Sequence, residues 1–421
     1  MKKISTLLLL ITGSVFAQEQ TITLDSCIHL AKINYPYIKQ NKLIEQAEDN
    51  NIKGINKNWL PRVSFTAQAT YQSEVVNFSL PESNFPPFPK DQYSNALDID
   101  QTVFDGGLTK QQKMIEKLSA QNELQKNETE LYKLVDKVTQ LYSTVLLDRA
   151  HLKTLTIYKD DINNKKKIVS ESVKNGIVLS SNLEELEAEE LKTEQSILEV
   201  KDNVDALYKV IGMYIKKSLD DSTKFQVTLA EGVGIKNAEI RRPELKVFAA
   251  QKELIEARHQ LDTRAAYPRL SFFGEGVYGR PGYNILDQNL RLYGIAGIRL
   301  KWNIGTLYNL STENTGANIN KQLVDVQKEV FEFNLQQSLA TQSAQIKTLK
   351  SVIEKDKTIM NKRHSITLAA SSQLANGVIT VTDYLTQLNA EMQAILNQQV
   401  NEIKLMNAIS VYNATKGITN F

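Results

Sequence analysis

The sequence predicts a mixed α and β membrane protein built by internal duplication, each half supplying two membrane-crossing strands and long helices. Three observations predict this class. The first is a repeated phrase: Asn58-Trp59-Leu60-Pro61-Arg62-Val63-Ser64-Phe65-Thr66-Ala67-Gln68-Ala69-Thr70-Tyr71 returns as Ala265-Ala266-Tyr267-Pro268-Arg269-Leu270-Ser271-Phe272-Phe273-Gly274-Glu275-Gly276-Val277-Tyr278, with Pro61 and Pro268 207 residues apart. Repetition at this length marks two copies of one structural unit. The second is a period of two, with Val63, Phe65, Ala67, Ala69 and Tyr71 matched by Leu270, Phe272, Gly274, Gly276 and Tyr278. That period puts these residues on one face of a strand. In the first copy the other face is Ser64, Thr66, Gln68, Thr70 and Gln72, the alternation of a barrel with lipid outside and water inside. The third is length. Helical stretches almost free of proline and glycine run from about Leu108 to Lys174 and from about Ala317 to Asn376. Some 65 residues at 1.5 Å each make a rod of roughly 100 Å, far beyond a globular helix.

Taken in order, residues 1–17 read as a signal peptide. Met1-Lys2-Lys3 precedes the apolar stretch Ile4 to Phe16, and Val15-Phe16-Ala17 places cleavage before Gln18. The stretch is shorter than the roughly 20 residues of a membrane anchor. No second stretch of spanning length follows, so any crossing must be made by strands. The first structural repeat, 18–217, is a helix, a β-hairpin over 62–104, a long helix over 108–174 and a return helix over 178–212. Its second strand, Leu97 to Val103, aligns by its polar face with Ile298 to Ile304, at a shift of 201. The six residues lost between the paired strands fall where the first copy carries the proline-rich Pro81 to Pro89, which cannot lie inside a sheet and must be a loop.

Within the first long helix, Leu131, Leu134, Val135, Val138, Leu141, Tyr142, Val145 and Leu146 follow a heptad-like seam. The long helices end at Asn175-Gly176 and Asn376-Gly377, and glycine is the usual residue where a helix stops in the left-handed conformation. Behind each turn a return helix is expected to start at a capping-type residue, Asn182 or Asp383, and to reach Gly212 or Gly417. A polar connector over 218–237 is expected to hold a short strand at Phe225 to Leu229. The second structural repeat, 238–421, then runs as helix, hairpin over 269–304, long helix over 306–375 and return helix over 378–416. Its entry, Arg241-Arg242-Pro243, matches Asn34-Tyr35-Pro36.

Composition excludes several functions. The single cysteine, Cys27, allows no internal disulfide and reads as a half-buried helix residue. A net charge of +2, from 50 basic and 48 acidic residues, argues against a nucleic-acid partner, which needs a basic face. His29, His151, His259 and His364 are scattered and lack a second metal ligand at helical spacing. Neither a phosphate-binding glycine loop nor a nucleophile elbow is present, so no catalytic, cofactor or metal site is expected and the chain does not read as an enzyme.

The order of parts resembles the TolC-like outer-membrane efflux family. The resemblance is carried by Leu24-Asp25-Ser26-Cys27-Ile28-His29-Leu30-Ala31 with Asn34-Tyr35-Pro36, by Val103-Phe104-Asp105-Gly106-Gly107 at the end of the second strand, and by the two glycine turns. It implies a homotrimer with a twelve-stranded transmembrane β-barrel, four strands per chain, continued by a long periplasmic α-helical barrel. It further implies the exit duct of a tripartite efflux or secretion system, in the outer membrane of a Gram-negative bacterium and extending into the periplasm. The partners would be a periplasmic adaptor (membrane fusion) protein, outer-membrane lipid and, indirectly, an inner-membrane transporter of RND or ABC type. Elementary physics asks for something similar, since four strands cannot close a barrel alone and an open edge is not tolerated in lipid. Cyclic symmetry removes the edge.

The resemblance assigns Asn175, Gly176, Asn182, Asn376, Gly377 and Asp383 to an adaptor-docking tip, and Asp105, Gly106 and Gly107 to a strand-to-helix turn. Two departures stand out. Ile379 occupies the place of a gate arginine, although Asp383 falls where an acid is expected, and Gly305-Thr306-Leu307 replaces the second Asp-Gly-Gly turn. By parity Asp98 and Asp100 face the lumen, with Arg299 and Lys301 in the matching positions of the duplicate. Opposite charges there would partly cancel and leave the duct weakly ion-selective. Two other readings compete. A periplasmic or surface coiled-coil structural protein without a channel would not require alternating strands, and a diffusion porin would carry many more strands and no long helices.

Overall fold

The computed structural model describes residues 21–75, 88–226 and 239–418. The signal peptide, most of the proline-rich loop and most of the connector lie outside the described residues. The chain divides into two compact units, and neither is a sequence half. One holds Lys39–Glu128 and Pro243–Glu332; the other holds the segment up to Ile38, Thr129–Arg242 and Phe333–Phe421. Each unit therefore takes corresponding pieces from both repeats.

The first unit is built on a four-stranded sheet. Helix α2 (Lys39–Asn56) tightens into a 3-10 turn at Lys57–Trp59 before strand β2 (Arg62–Tyr71). Pro61 sets this boundary, because a residue before proline is pushed out of the helical region. Leu60 is accordingly extended, at φ −85° and ψ 149°. Strand β3 (Asp91–Phe104) returns and leads into α3 (Leu108–Lys174). In the second repeat α5 (Pro243–Ala265) starts on a proline, whose fixed φ suits the first helical position. Strands β5 (Arg269–Arg280) and β6 (Arg291–Lys301) follow, then a 3-10 turn at Ile304–Tyr308 and α6 (Leu310–Ala375). The strand order is β2-β3-β5-β6, antiparallel throughout, with one irregularity between Thr102 and Phe104.

The helices of this unit repeat the strand order. Asn51 of α2 donates to Glu116 at 2.9 Å, and Asn58 of the 3-10 turn that follows donates to Gln112 at 3.2 Å, joining this segment to α3. Gln111 donates to the Ala257 carbonyl at 2.9 Å, joining α3 to α5. Lys252 with Asp325 at 2.8 Å, Lys321 with Glu256 at 2.9 Å, and the Phe248 and Phe331 rings join α5 to α6. Both rows thus end in the same pair of chain segments, α2–β2 on one side and β6–α6 on the other.

The second unit is helical. Helix α1 (Leu24–Asn34) opens with a capping box between Thr23 and Ser26, and the strands β1 (Thr21–Ile22) and β4 (Lys224–Phe225) pair in parallel. Of the connector strand expected over Phe225 to Leu229, Phe225 is in a strand that begins at Lys224, Gln226 is not, and residues 227–229 lie outside the described residues. Helices α4 (Ser180–Ile215) and α7 (Val381–Lys416) complete the unit. The seam read from the sequence is the core: Val135, Val138, Tyr142 and Val145 are buried against Cys27, Ile28, Ala31, Val204, Tyr208, Ile211 and Ile215. Each such aliphatic side chain contributes about 1.5–3 kcal/mol by leaving water.

Cys27 is fully buried at 1% exposure, not half-buried, because it points into this seam from α1. Burial pushes its thiol up to about 12, against a small opposing effect of Lys217. The Tyr142 hydroxyl lies 2.8 Å from both the Ile22 and Gln226 carbonyls, pinning the β1–β4 ribbon to α3. Helix α4 does not stop at Gly212. It runs to Ile215 and is closed by Lys216 at φ 53°, while a Cβ on Gly212 would stand 2.6 Å from the Lys217 carbonyl oxygen. Gly212 thus serves close approach and not termination.

Candidate functional site: an inverted sheet and a glycine tip

The sheet register sorts side chains into two faces. Ser64, Thr66, Gln68 and Thr70 share one face with Gln92, Ser94, Asp98, Asp100, Ser271, Glu275, Arg299 and Lys301. Val63, Phe65, Leu97, Ile99, Phe272, Ile298 and Leu300 share the other. Exposure runs opposite to that of a water-soluble sheet. Phe65 is 69% exposed, Leu292 79% and Leu300 67%, whereas Ala96 and Val277 on the polar face are buried. A contiguous exposed apolar face of this kind marks contact with lipid or another protein.

Aromatic side chains stand at both ends of the apolar face. Tyr71, Tyr93 and Tyr278 lie towards the loops, and Trp59, Tyr267, Trp302 and Tyr308 lie where the strands meet the helices, all exposed. Trp302 donates its indole N–H to the Ala266 carbonyl at 3.0 Å. Amphipathic rings of this type belong at a membrane–water interface. From Leu270 to Tyr278 the strand spans about 26 Å at 3.3 Å per residue, the height of an outer-membrane apolar band.

The four predicted lumen charges share the polar face, and only two of them meet. Asp100 accepts from Ser271 at 3.2 Å and pairs with Arg299 at 3.4 Å, whose guanidinium lies 4.3 Å from the centre of the Phe273 ring. Asp98 stands opposite Ser64 and Glu275, and Lys301 stands opposite Arg269. The register also adds Arg62, directly opposite Asp100. Arg62, Arg269 and Glu275 were missed by the sequence reading, although the same parity rule places them: each is an even number of residues from a polar-face neighbour on its own strand.

Asp105 builds the strand-to-helix turn. Its carboxylate accepts from the amides of Gly107 at 2.8 Å and Thr109 at 2.7 Å, capping α3. Gly106 and Gly107 have φ of 71° and 87°, and a Cβ on Gly106 would stand 2.7 Å from Cβ of Tyr267. The duplicate solves the same junction with the 3-10 turn at Ile304–Tyr308.

At the opposite ends of α3 and α6 both turns are Schellman caps. Gly176 and Gly377 adopt φ of 70° and 69°. Their amides donate to Val173 at 2.9 Å and Leu374 at 3.0 Å, and the next amides donate to Ser172 and Gln373, each at 2.9 Å. Asn175 and Asn376 precede them, and the Asn376 side chain closes on the Ser372 carbonyl at 2.8 Å. The return helices do not start at Asn182 or Asp383. Thr380 is the N-cap of α7 and Asp383 stands three residues in, completing a capping box, while Leu179 occupies the N-cap of α4 with no side-chain bond. The Thr380 side chain, then its backbone amide, hold the Asp383 carboxyl below the ordinary carboxylate range. Since the folded value is depressed, the cap is present above the ordinary carboxylate pKa and is lost only as pH falls through that lowered value.

Gly176, Asn182, Gly377 and Asp383 wall a cleft of about 470 Å³ between the turns. Its rim is apolar: Ile177, Leu179 and Val378 are 72%, 74% and 69% exposed. The sequence reading missed these three, whose signal is apolar residues flanking a turn glycine. Ile379, at the expected arginine position, packs onto the apolar cluster of Ile162, Val169, Leu186 and Tyr384. Among the described residues no group of three His, Cys, Asp or Glu side chains could hold a metal ion, and no helix is long and apolar enough to cross a membrane.

Among the described residues the sheet has an exposed apolar face and two edge strands without a neighbour, and it is followed in the chain by helices of 67 and 66 residues. Residues 27–212 match the family model of outer membrane efflux proteins. Over 94% of its length the chain shares the fold of solved outer-membrane channel proteins. The outer-membrane channel OprN superposes with a TM-score of 0.68 at 12% identity, covering 94% of this chain and 89% of that one. VceC, an outer membrane protein of Vibrio cholerae, gives 0.65 at 12% identity, over 94% of this chain and 97% of VceC. The CmeC outer membrane channel of Campylobacter jejuni gives 0.64 at 14% identity, over 94% and 85%. No curated protein matches the chain by sequence.

Proposed function

We propose that the protein is the outer-membrane exit duct of a tripartite efflux or secretion system, conducting solutes passively from a periplasmic adaptor and its inner-membrane transporter to the outside. The observation that carries this reading is the inverted sheet, with large apolar side chains exposed on one face, polar groups on the other, and aromatic belts at both ends. Neither a coiled-coil structural protein nor a water-soluble enzyme has use for such a face.

The working form is a homotrimer. Among the described residues the sheet has four strands, with β2 and β6 unpaired at the two edges. An even count makes them run in opposite directions, so β6 of one copy continues the antiparallel alternation onto β2 of the next. Three copies close twelve strands without a free edge, as lipid demands. The tip cleft between Gly176 and Gly377 is the docking surface for the adaptor, its apolar rim offering the desolvated contact and its glycines the close backbone approach. The test is the mass of the detergent-extracted outer-membrane particle by light scattering. A particle of three chains supports the shared barrel, and a water-soluble monomer removes it.

A further inference from the structure

The polar face of the sheet carries more charge than the four residues that parity first suggested, and the sum is not balanced. In the rows nearest the helices stand Arg62, Arg269, Arg299 and Lys301, with Asp100 the one carboxylate among them. Asp100 is already engaged by Arg299 at 3.4 Å and by Ser271 at 3.2 Å. Among the described residues Arg62, Arg269 and Lys301 have no ion-pair partner, and Arg62 and Arg269 are exposed. One row further towards the loops, Asp98 and Glu275 face each other across the β3–β5 pair, a like-charge juxtaposition. Counting both tiers, four cations stand against three carboxylates in each chain.

We propose that this end of the sheet is a cation-lined collar that favours anionic solutes, polyvalent anions above all. The inference rests on the channel reading above, which makes this face the wet interior, and it replaces the expectation of a charge-neutral lumen. Threefold symmetry multiplies the imbalance, setting guanidinium and ammonium groups in a ring where the helical and stranded parts of the chain join. A ring of one sign raises the local concentration of the opposite ion. Arginine, with a planar fork matched to carboxylate and phosphate oxygens, supplies three of the four cations.

The experiment is a reversal-potential measurement on the full-length mature protein in planar bilayers, under a KCl gradient kept at or below about 0.1 M, where screening extends over roughly 10 Å. The wild type is expected to prefer chloride. R62Q/R269Q leaves two cations against three carboxylates and should lower the chloride-to-potassium permeability ratio at least about twofold, while D98N/E275Q should raise it. A ratio in R62Q/R269Q equal to or above that of the wild type overturns the collar. A second readout needs no variant: tripolyphosphate added on the loop side should reduce wild-type conductance more than the same concentration of spermine, and an equal or weaker effect overturns the proposal. Protein inserted as trimers but carrying no current would instead overturn the channel reading, and the collar with it.

Discussion

Cys27 and the turn glycines show how single residues carry constraints that composition hides. Cys27 is enclosed by the α1, α3 and α4 seam, and burial pushes its thiol up to about 12. Because the thiolate is the reactive form, the native protein should resist alkylation by iodoacetamide at about pH 8 and react only once unfolded. Labelling of the folded protein would show the seam to be open. The glycines differ in what surrounds them. A Cβ on Gly377 meets nothing within 4 Å, so Gly377→Ala carries only the left-handed backbone strain of about 1–2 kcal/mol. A Cβ on Gly417 would lie 2.4 Å from the Arg241 carbonyl, so Gly417→Ala should exceed about 3 kcal/mol, near the upper end for single substitutions. Urea unfolding of the two variants side by side checks the order. Both glycines were visible in the sequence as helix stops. Their unequal cost was not, since it depends on a strand of chain more than 170 residues away.

Whole elements were more legible than their ends. The long helix from Leu108 to Lys174 follows from an uninterrupted run without proline or glycine, and its buried stripe from spacing alone. Its partner begins at Leu310, not 306, because Ile304–Tyr308 is used as a 3-10 turn in place of an Asp-Gly-Gly cap. The return helices are a matched pair with unequal caps. Thr380 and Asp383 close α7 reciprocally, whereas Leu179 caps α4 with nothing. Leu179→Thr should therefore stabilise the start of α4 by about 1 kcal/mol, read as slower amide exchange over residues 180–184. If the exposed Leu179 belongs to the adaptor surface, export should fall in the same variant. A gain in protection with unchanged export would confine Leu179 to a capping defect.

For the molecule as a whole, the sheet edges left unpaired among the described residues have a helical counterpart. On α6, Ile319, Leu323, Val326, Val330 and Phe333 are exposed at spacings of four and three, a coiled-coil seam with no partner in its own chain among the described residues. It follows β6, an edge strand without a neighbour among the described residues, so a neighbouring copy would cover both in the proposed trimer. L323E/V330E should reduce the light-scattering mass from three chains towards one while leaving the helical circular dichroism in place. A trimer of unchanged stability would detach the seam from assembly. By itself, the sequence determined the duplication, the four strands, the two faces of each and the long helices, because periods of 2 and 3.6 and the positions of proline and glycine are local properties. The register came from the tertiary structure alone, and with it which charges share a row, that Asp100 meets Arg299 while Arg62 and Arg269 have no ion-pair partner among the described residues, and that Ile177, Leu179 and Val378 rim one cleft. Pairing between strands and packing between helices join residues hundreds of positions apart, and no local pattern records which of them will meet.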